Sequence, residues 1–341
     1  MTEPRTAPAE RAPGRRELRQ GRQNQRRRHR RLVTVGLSVV AALAIAAGVV
    51  AYNRSSDQGG PLPAKLPAST GSYLGVYTKN LPSSYSGVSA FKTATGTTPD
   101  IVMYYSGWYV PFPTSFANTV ASEGAAPLVQ MDPDNISLSQ IASGHYDGYL
   151  SAYAEAVRAY RHPVVLSFGH EMNGDWYSWG YKHSTPAQFV AAWRHVVTLF
   201  RALGAGNVTW LWTVNVINDT QNGTIPRPNA WWPGSSYVNW VGLDGYYLKP
   251  NWQFAPLFGP TIGDLRSFTD DPILIAETGA EPATGQSAKV ADLFAGVKAY
   301  GLLGFVYFDT TNSIGQPFGL SSSAAIAAYR KGASSYHRPG S

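Results

Sequence analysis

Eight short apolar runs, rich in β-branched and aromatic residues, recur along most of the chain. They lie near Tyr73–Tyr77, Ile101–Tyr105, Pro127–Met131, Val164–Phe168, Val208–Val214, Trp240–Leu243, Ile273–Ala276 and Gly304–Phe308. Their near-continuous apolar character suits strands covered on both faces in a parallel sheet. Helical patterns fall between several of them. Thr185-Pro186-Ala187-Gln188 reads as a capping box with proline at the first helical position. Phe189, Val190, Trp193, Val196, Val197 and Phe200 follow at helical spacing, and Gly204 stops the pattern. Ser287 precedes a second pattern through Val290, Leu293, Phe294 and Val297, and a third runs from Leu150 to Tyr160, ahead of Pro163. Strands alternating with helices over residues 71–335 predict an α/β fold, a (β/α)8 TIM barrel, for which about 250 residues are typical. The early and middle connections carry weaker signals.

The residues ahead of that stretch have a different character. Residues 1–31 hold eleven arginines against three glutamates, a local charge of +8, while the remainder holds 17 basic and 18 acidic residues. The basic balance therefore belongs to the tail, and a nucleic-acid partner for the main domain has no support. Leu32–Tyr52 is a run of 21 residues without a charge, long enough for a helix to span a bilayer. It predicts a transmembrane or signal-anchor helix, with the arginine-rich side in the cytoplasm and the rest exported. The alternative is a secreted protein cleaved after Ala51. Residues 53–70, rich in Gly, Pro and Ser, read as a linker. The absence of cysteine fits an exported domain that relies on its core.

Residues 71–335 contain only five glutamates: Glu123, Glu155, Glu171, Glu277 and Glu281. Glu171 ends the fourth apolar run and Glu277 ends the seventh. A parallel barrel brings such strand ends into one bowl, where active sites are built. Two glutamates there are the equipment of a glycosidase, and a retaining enzyme uses one as acid/base and the other as nucleophile.

His170-Glu171-Met172-Asn173-Gly174, the following Trp176-Tyr177-Ser178-Trp179, Val241-Gly242-Leu243-Asp244-Gly245-Tyr246 and Ala276-Glu277-Thr278-Gly279 resemble glycoside hydrolase family 26, best known for β-mannanases. They occur in the family's order and span most of residues 71–310. The resemblance implies Glu171 as acid/base and Glu277 as nucleophile, with Tyr246 steadying the nucleophile. It implies His170 as a sugar-hydroxyl contact and Trp176 as a sugar platform. Asn173 is a candidate substrate contact or the residue that orders the turn, and Trp179 a platform or part of the core. Trp108, Trp232, Trp252 and Tyr247 follow other strands and are candidates for further subsites, while Asp244 reads as a structural carboxylate bonding the neighbouring loop. In such an enzyme the acid/base is expected to have its pKa raised and the nucleophile to be ionised.

The implied activity is a retaining endo-β-glycosidase acting on β-1,4-mannan or glucomannan. Mixed-linkage β-glucan, β-1,3-xylan or an envelope glycan are alternative substrates, and a carbohydrate-binding protein without catalysis is the rival class. Two departures bear on the substrate: Ser167 stands where the family often has arginine, and Phe308 where it often has tryptophan. No cofactor is expected. The histidines lack metal-ligand spacing, so no metal site is expected either.

Overall fold

The computed structural model describes residues 65–217 and 225–336. The tail, the apolar run Leu32–Tyr52 and the linker up to residue 64 lie outside the described residues. Among the described residues, no helix is long and apolar enough to cross a membrane.

Eight parallel strands close into a barrel in chain order, with β8 pairing back onto β1. They are β1 (Tyr73–Tyr77), β2 (Ile101–Gly107), β3 (Ala126–Asp132), β4 (Val164–Phe168), β5 (Val208–Asn215), β6 (Trp240–Asp244), β7 (Ile273–Thr278) and β8 (Gly304–Phe308). Around them run α1 (Ser86–Thr95), α2 (Thr114–Ser122), α3 (Leu138–Ala142), α4 (Asp147–Tyr160), α5 (Pro186–Ala202), α6 (Phe254–Arg266), α7 (Gln286–Ala299) and α8 (Ser323–Ala333). The predicted barrel is therefore the observed one. Its least regular connection is β5 to β6, where the described residues supply a single 3-10 turn, Pro228–Trp231, in place of an α-helix.

The capping box at the start of α5 forms as read. Gln188 N–H donates to Thr185 Oγ1 at 3.3 Å, and Thr185 N–H donates to Gln188 Oε1 at 2.9 Å. Gly204 follows the helix with φ of 78°. At the amino-terminal end of the barrel the chain before β1 is already part of the packing. Leu66 packs against the inner core, its N–H donates to Thr209 Oγ1 at 3.3 Å, and Tyr73 OH donates to Pro67 O at 2.7 Å.

Strand alternation sorts the core into two parts. Odd residues of β2 (Ile101, Met103) and Val165, Leu211, Leu274 and Ala276 pack inside the barrel. Val102, Tyr104, Leu166, Phe168, Ile273 and Ile275 face the helices. Carried upward, the inward parity brings Tyr77, Tyr105, Gln130, Ser167, Thr213 and Phe308 to the top interior layer. Glu277 breaks this parity. By strict alternation it would follow Ile273 and Ile275 outward, but β7 bulges: Leu243 of β6 pairs with Ile275 whereas Asp244 pairs with Glu277. The extra residue turns the carboxylate into the bowl.

Candidate active site

The chain leaves β4 through two left-handed residues, Gly169 at φ 57° and Glu171 at φ 52°. At Gly169 a Cβ would sit 3.1 Å from Phe189 and 3.2 Å from Trp179, so both the conformation and the space call for glycine. Glu171 therefore stands three residues beyond the end of β4, on a turn, with its N–H donating to Thr213 O of β5 at 2.9 Å. A left-handed non-glycine residue is strained, and such strain gathers at functional sites.

Both carboxylates are nearly buried, Glu171 at 8% exposure and Glu277 at 5%. Asn215 Nδ2 donates to Glu171 Oε1 at 2.6 Å, and Trp176 Nε1 donates to Oε2 at 2.8 Å. The two donors hold the carboxyl plane from opposite oxygens. Glu277 is held by phenols: Tyr105 OH donates to Oε1 at 2.6 Å and Tyr246 OH to Oε2 at 2.9 Å. Gln130 Nε2 adds a longer contact to Oε1 at 3.5 Å. Burial, then the charge of Glu277, pushes both phenols well above their usual range, so they stay protonated and donate.

His170 is held between Asp132 and Tyr177. Its Nδ1 is 2.9 Å from Asp132 Oδ1 and its Nε2 is 3.1 Å from Tyr177 OH. Burial works against a charge on this ring, but Asp132 outweighs it and the two glutamates add to the effect, lifting His170 to about 9. The imidazolium then donates from both nitrogens. Burial raises Glu277 to about 7; the His170 charge opposes that rise, Glu171 adds to it, and the two phenols oppose it. The expected nucleophile is thus a lifted carboxyl, because the barrel interior desolvates it more than the His170 charge and the two phenols can offset.

Asp244 was expected to bond a neighbouring loop; its carboxyl instead belongs to the barrel interior. It is fully buried and in register with Asn215 on one side and Glu277 on the other. Burial, then Glu277 and Glu171, pushes it well above the carboxylate range.

Of the remaining candidates, Asn173 takes the turn-ordering role. It is fully buried, Asn173 Nδ2 donates to Asn215 O at 2.8 Å, and Asn215 N–H donates back to Asn173 Oδ1 at 2.9 Å. Trp176 is half-buried, with its indole ring occupying the space a side chain at residue 174 would need. Trp179 is core: it stacks on Tyr177 with centroids 4.3 Å apart and donates from Nε1 to His170 O at 2.8 Å. Tyr247 is buried, and Trp232 packs edge-on against Trp212 in the helix-facing layer. Trp108 lies against Phe168 there too. Beside Glu277 an aromatic wall forms from Tyr77 stacked on Phe308 at 4.6 Å, with Tyr105 edge-on to Tyr77 at 5.2 Å. Where the family often has arginine, Ser167 is fully buried and shares a 3.0 Å hydrogen bond with Thr213.

Asn215, Tyr105, Gln130, Asp132 and Tyr177 emerge only from the structure. Four of them carried a readable sign. Asp132 and Asn215 are polar residues closing apolar strands, and Tyr105 and Gln130 are inward-parity polar groups near strand ends. Tyr177, on the loop after β4, lay within the Trp176–Trp179 motif without an assigned role.

Comparison with known proteins agrees with this geometry. The family model described as glycosyl hydrolase family 26 matches residues 114–262, a span that includes Glu171 and ends before Glu277. Endoglucanase H of Acetivibrio thermocellus is 31% identical over 233 residues, covering 64% of this chain and 25% of that protein. The β-1,3-xylanase TXYA of a Vibrio species is 28% identical over 182 residues, 49% of this chain and 37% of that protein. The chain thus spans well under half the length of these curated relatives. A modular endo-β-1,4-mannanase from Cellulomonas fimi shares the fold with a TM-score of 0.60 at 18% identity, over 77% of this chain and 71% of that one. The His-Glu motif at the end of β4, the matched model and the closed barrel converge: over residues 114–262 this chain is similar to glycosyl hydrolase family 26.

Proposed function

We propose that the protein is a retaining endo-β-glycosidase that cleaves a β-linked polysaccharide by double displacement. The observation that carries this is the pair of nearly buried glutamates at the carboxyl ends of β4 and β7, each held at both oxygens by a separate set of donors. Glu171 serves as acid/base. Asn215 and Trp176 fix its carboxyl toward the leaving oxygen, and after the first step it takes the proton of the attacking water. Glu277 is the nucleophile; Tyr105 and Tyr246 orient its carboxylate, and the His170 imidazolium opposes the protonation that burial favours. His170 and Trp176 border the site where the sugar ring sits. The first polymer for assay is β-1,4-mannan or glucomannan. Mixed-linkage glucan, cellulose and β-1,3-xylan stand beside it, because two of the relatives are named as an endoglucanase and a β-1,3-xylanase and because Ser167 and Phe308 reshape the pocket floor.

The test is new reducing ends from this panel, with the parent protein beside Glu171→Ala and Glu277→Ala. Release by the parent and a fall of several orders of magnitude in both variants is the expected result. Release that survives either substitution removes that residue from the mechanism. Binding without release from any polymer favours the non-catalytic reading. For location, the uncharged run Leu32–Tyr52 behind an arginine-rich tail supports a membrane-tethered catalytic domain on the outer side. That placement is checked by whether the full chain resists alkaline extraction from membranes.

A further inference from the structure

We infer that the loop after β2 carries a distal sugar-binding subsite in which the ring of Tyr109 is the platform and a pyranose unit of the bound polysaccharide is the ligand. This deepens the glycosidase reading and rests on it. Gly107 ends β2 at the carboxyl rim, and Tyr109 follows with its side chain 61% exposed. Its backbone is left-handed, φ 67°, a conformation that strains a bulky residue. A mostly exposed aromatic ring held in a strained conformation is a poor choice for packing alone, since glycine would relieve the strain.

The ring is nevertheless buttressed. Trp108, Tyr146 and Tyr149 surround it with centroids 6.4, 6.2 and 5.5 Å away, all edge-on. Tyr149 OH donates to Val110 O at 3.1 Å and pins the loop. Three aromatic supports and a hydrogen bond fix the ring without covering it, which is the pre-organisation a stacking surface needs.

Position argues for the same polysaccharide chain. Tyr105, four residues earlier on β2, donates to the nucleophile candidate Glu277 at 2.6 Å. Four residues of extended chain reach at most about 13 Å, so a few sugar units join the two points. The exposed large apolar residues among those described are Tyr109, Val110, Tyr300 and Ile314. Three of these four stand on the rim loops after β2 and β8, strands separated only by β1. The apolar surface at Tyr109 is flanked by Gly107 and Pro111, a patch on the scale of one sugar ring.

The test uses the full chain, with Tyr109→Ala, Tyr109→Gly and Tyr109→Trp beside the parent. The readouts are KM and kcat on whichever polymer the parent cleaves, migration through native gels containing that polymer, and melting temperature. Tyr109→Ala and Tyr109→Gly should raise KM about 5- to 20-fold with kcat within twofold and lose retardation in the gel, while Tyr109→Trp keeps both near the parent. Tyr109→Gly should melt at or above Tyr109→Ala, because both lose the ring and only glycine relieves the strained φ. KM and retardation unchanged in the alanine and glycine variants of an active parent overturn the subsite and leave the glycosidase reading intact. A parent retarded by a polymer it does not cleave, with retardation lost in Tyr109→Gly, keeps the subsite and overturns the glycosidase reading. A parent neither active nor retarded on any polymer overturns both.

Discussion

Asn215 shows how much of this site rests on single side chains. Its main chain is locked by Asn173 and its side-chain amide donates to Glu171. Asn215→Ala keeps the lock and removes only the donor. A hydrogen bond to a charged group contributes about 1.5–3 kcal/mol, so kcat should fall roughly 10- to 100-fold while the fold is retained; unchanged kcat would place the amide outside the mechanism. Glu277→Ala makes a contrasting case. Burial raises the carboxyl of Glu277, which means the folded state disfavours its ionised form. Removing it should leave the melting temperature unchanged or higher as turnover is lost. A clear drop in melting temperature would recast Glu277 as structural.

At the scale of elements, regular structure was legible and its interruptions were not. All eight apolar runs are strands, extended by one or two residues where Gly107, Asp132, Asn215, Asp244 and Thr278 continue the pairing. Polar strand ends look like loop to a reading based on apolar runs. The β7 bulge left no mark in Ile273-Leu274-Ile275-Ala276-Glu277, because a bulge is fixed by the neighbouring strand and not by local preference. The turn after β4 is made by two left-handed residues, Gly169 and Glu171, and the left-handed glutamate left no mark in the sequence. Two substitutions separate turn from helix. Gly169→Ala forces a Cβ into a left-handed position against Phe189 and Trp179, and should cost about 1–2 kcal/mol and lower kcat by displacing Glu171. Thr185→Ala removes the α5 cap at about 1 kcal/mol, a shift of roughly 2–4 °C in melting temperature, with kcat unchanged. Equal effects of the two on kcat would contradict the assignment of the turn as the element that aims the acid/base.

For the molecule as a whole, the buried charges of the bowl set a pH dependence with a definite sign. Folded His170 keeps its proton up to about 9, against 6.5 for the free side chain. Its pairing with Asp132 thus stabilises the fold fully below pH 6.5, and that contribution is lost as pH rises toward 9. Glu277 acts in the same direction at lower pH, since its folded carboxyl is lifted from 4.5 to about 7. Folded protein binds the extra protons in both windows, so stability falls as pH rises. The melting temperature should decline between pH 6.5 and 9, by the equivalent of a few kcal/mol at most, and His170→Gln should flatten that decline. A parent melting temperature that is flat or rising across this window would contradict the charged pair. At this scale the motifs around Glu171 and Glu277 revealed the pair and the family resemblance, while Asn215 and Tyr105 come from other strands and required the closed barrel to be seen.

The most direct test of the double-displacement account is the anomeric form of the first product. Proton NMR should follow the new reducing end during the opening minutes of hydrolysis, on the polymer the parent cleaves. The β-anomer appearing first, with the α-anomer growing only by mutarotation, is the predicted result. The α-anomer appearing first would mean inversion, with Glu277 activating water in place of attacking the sugar, and would contradict its role as nucleophile.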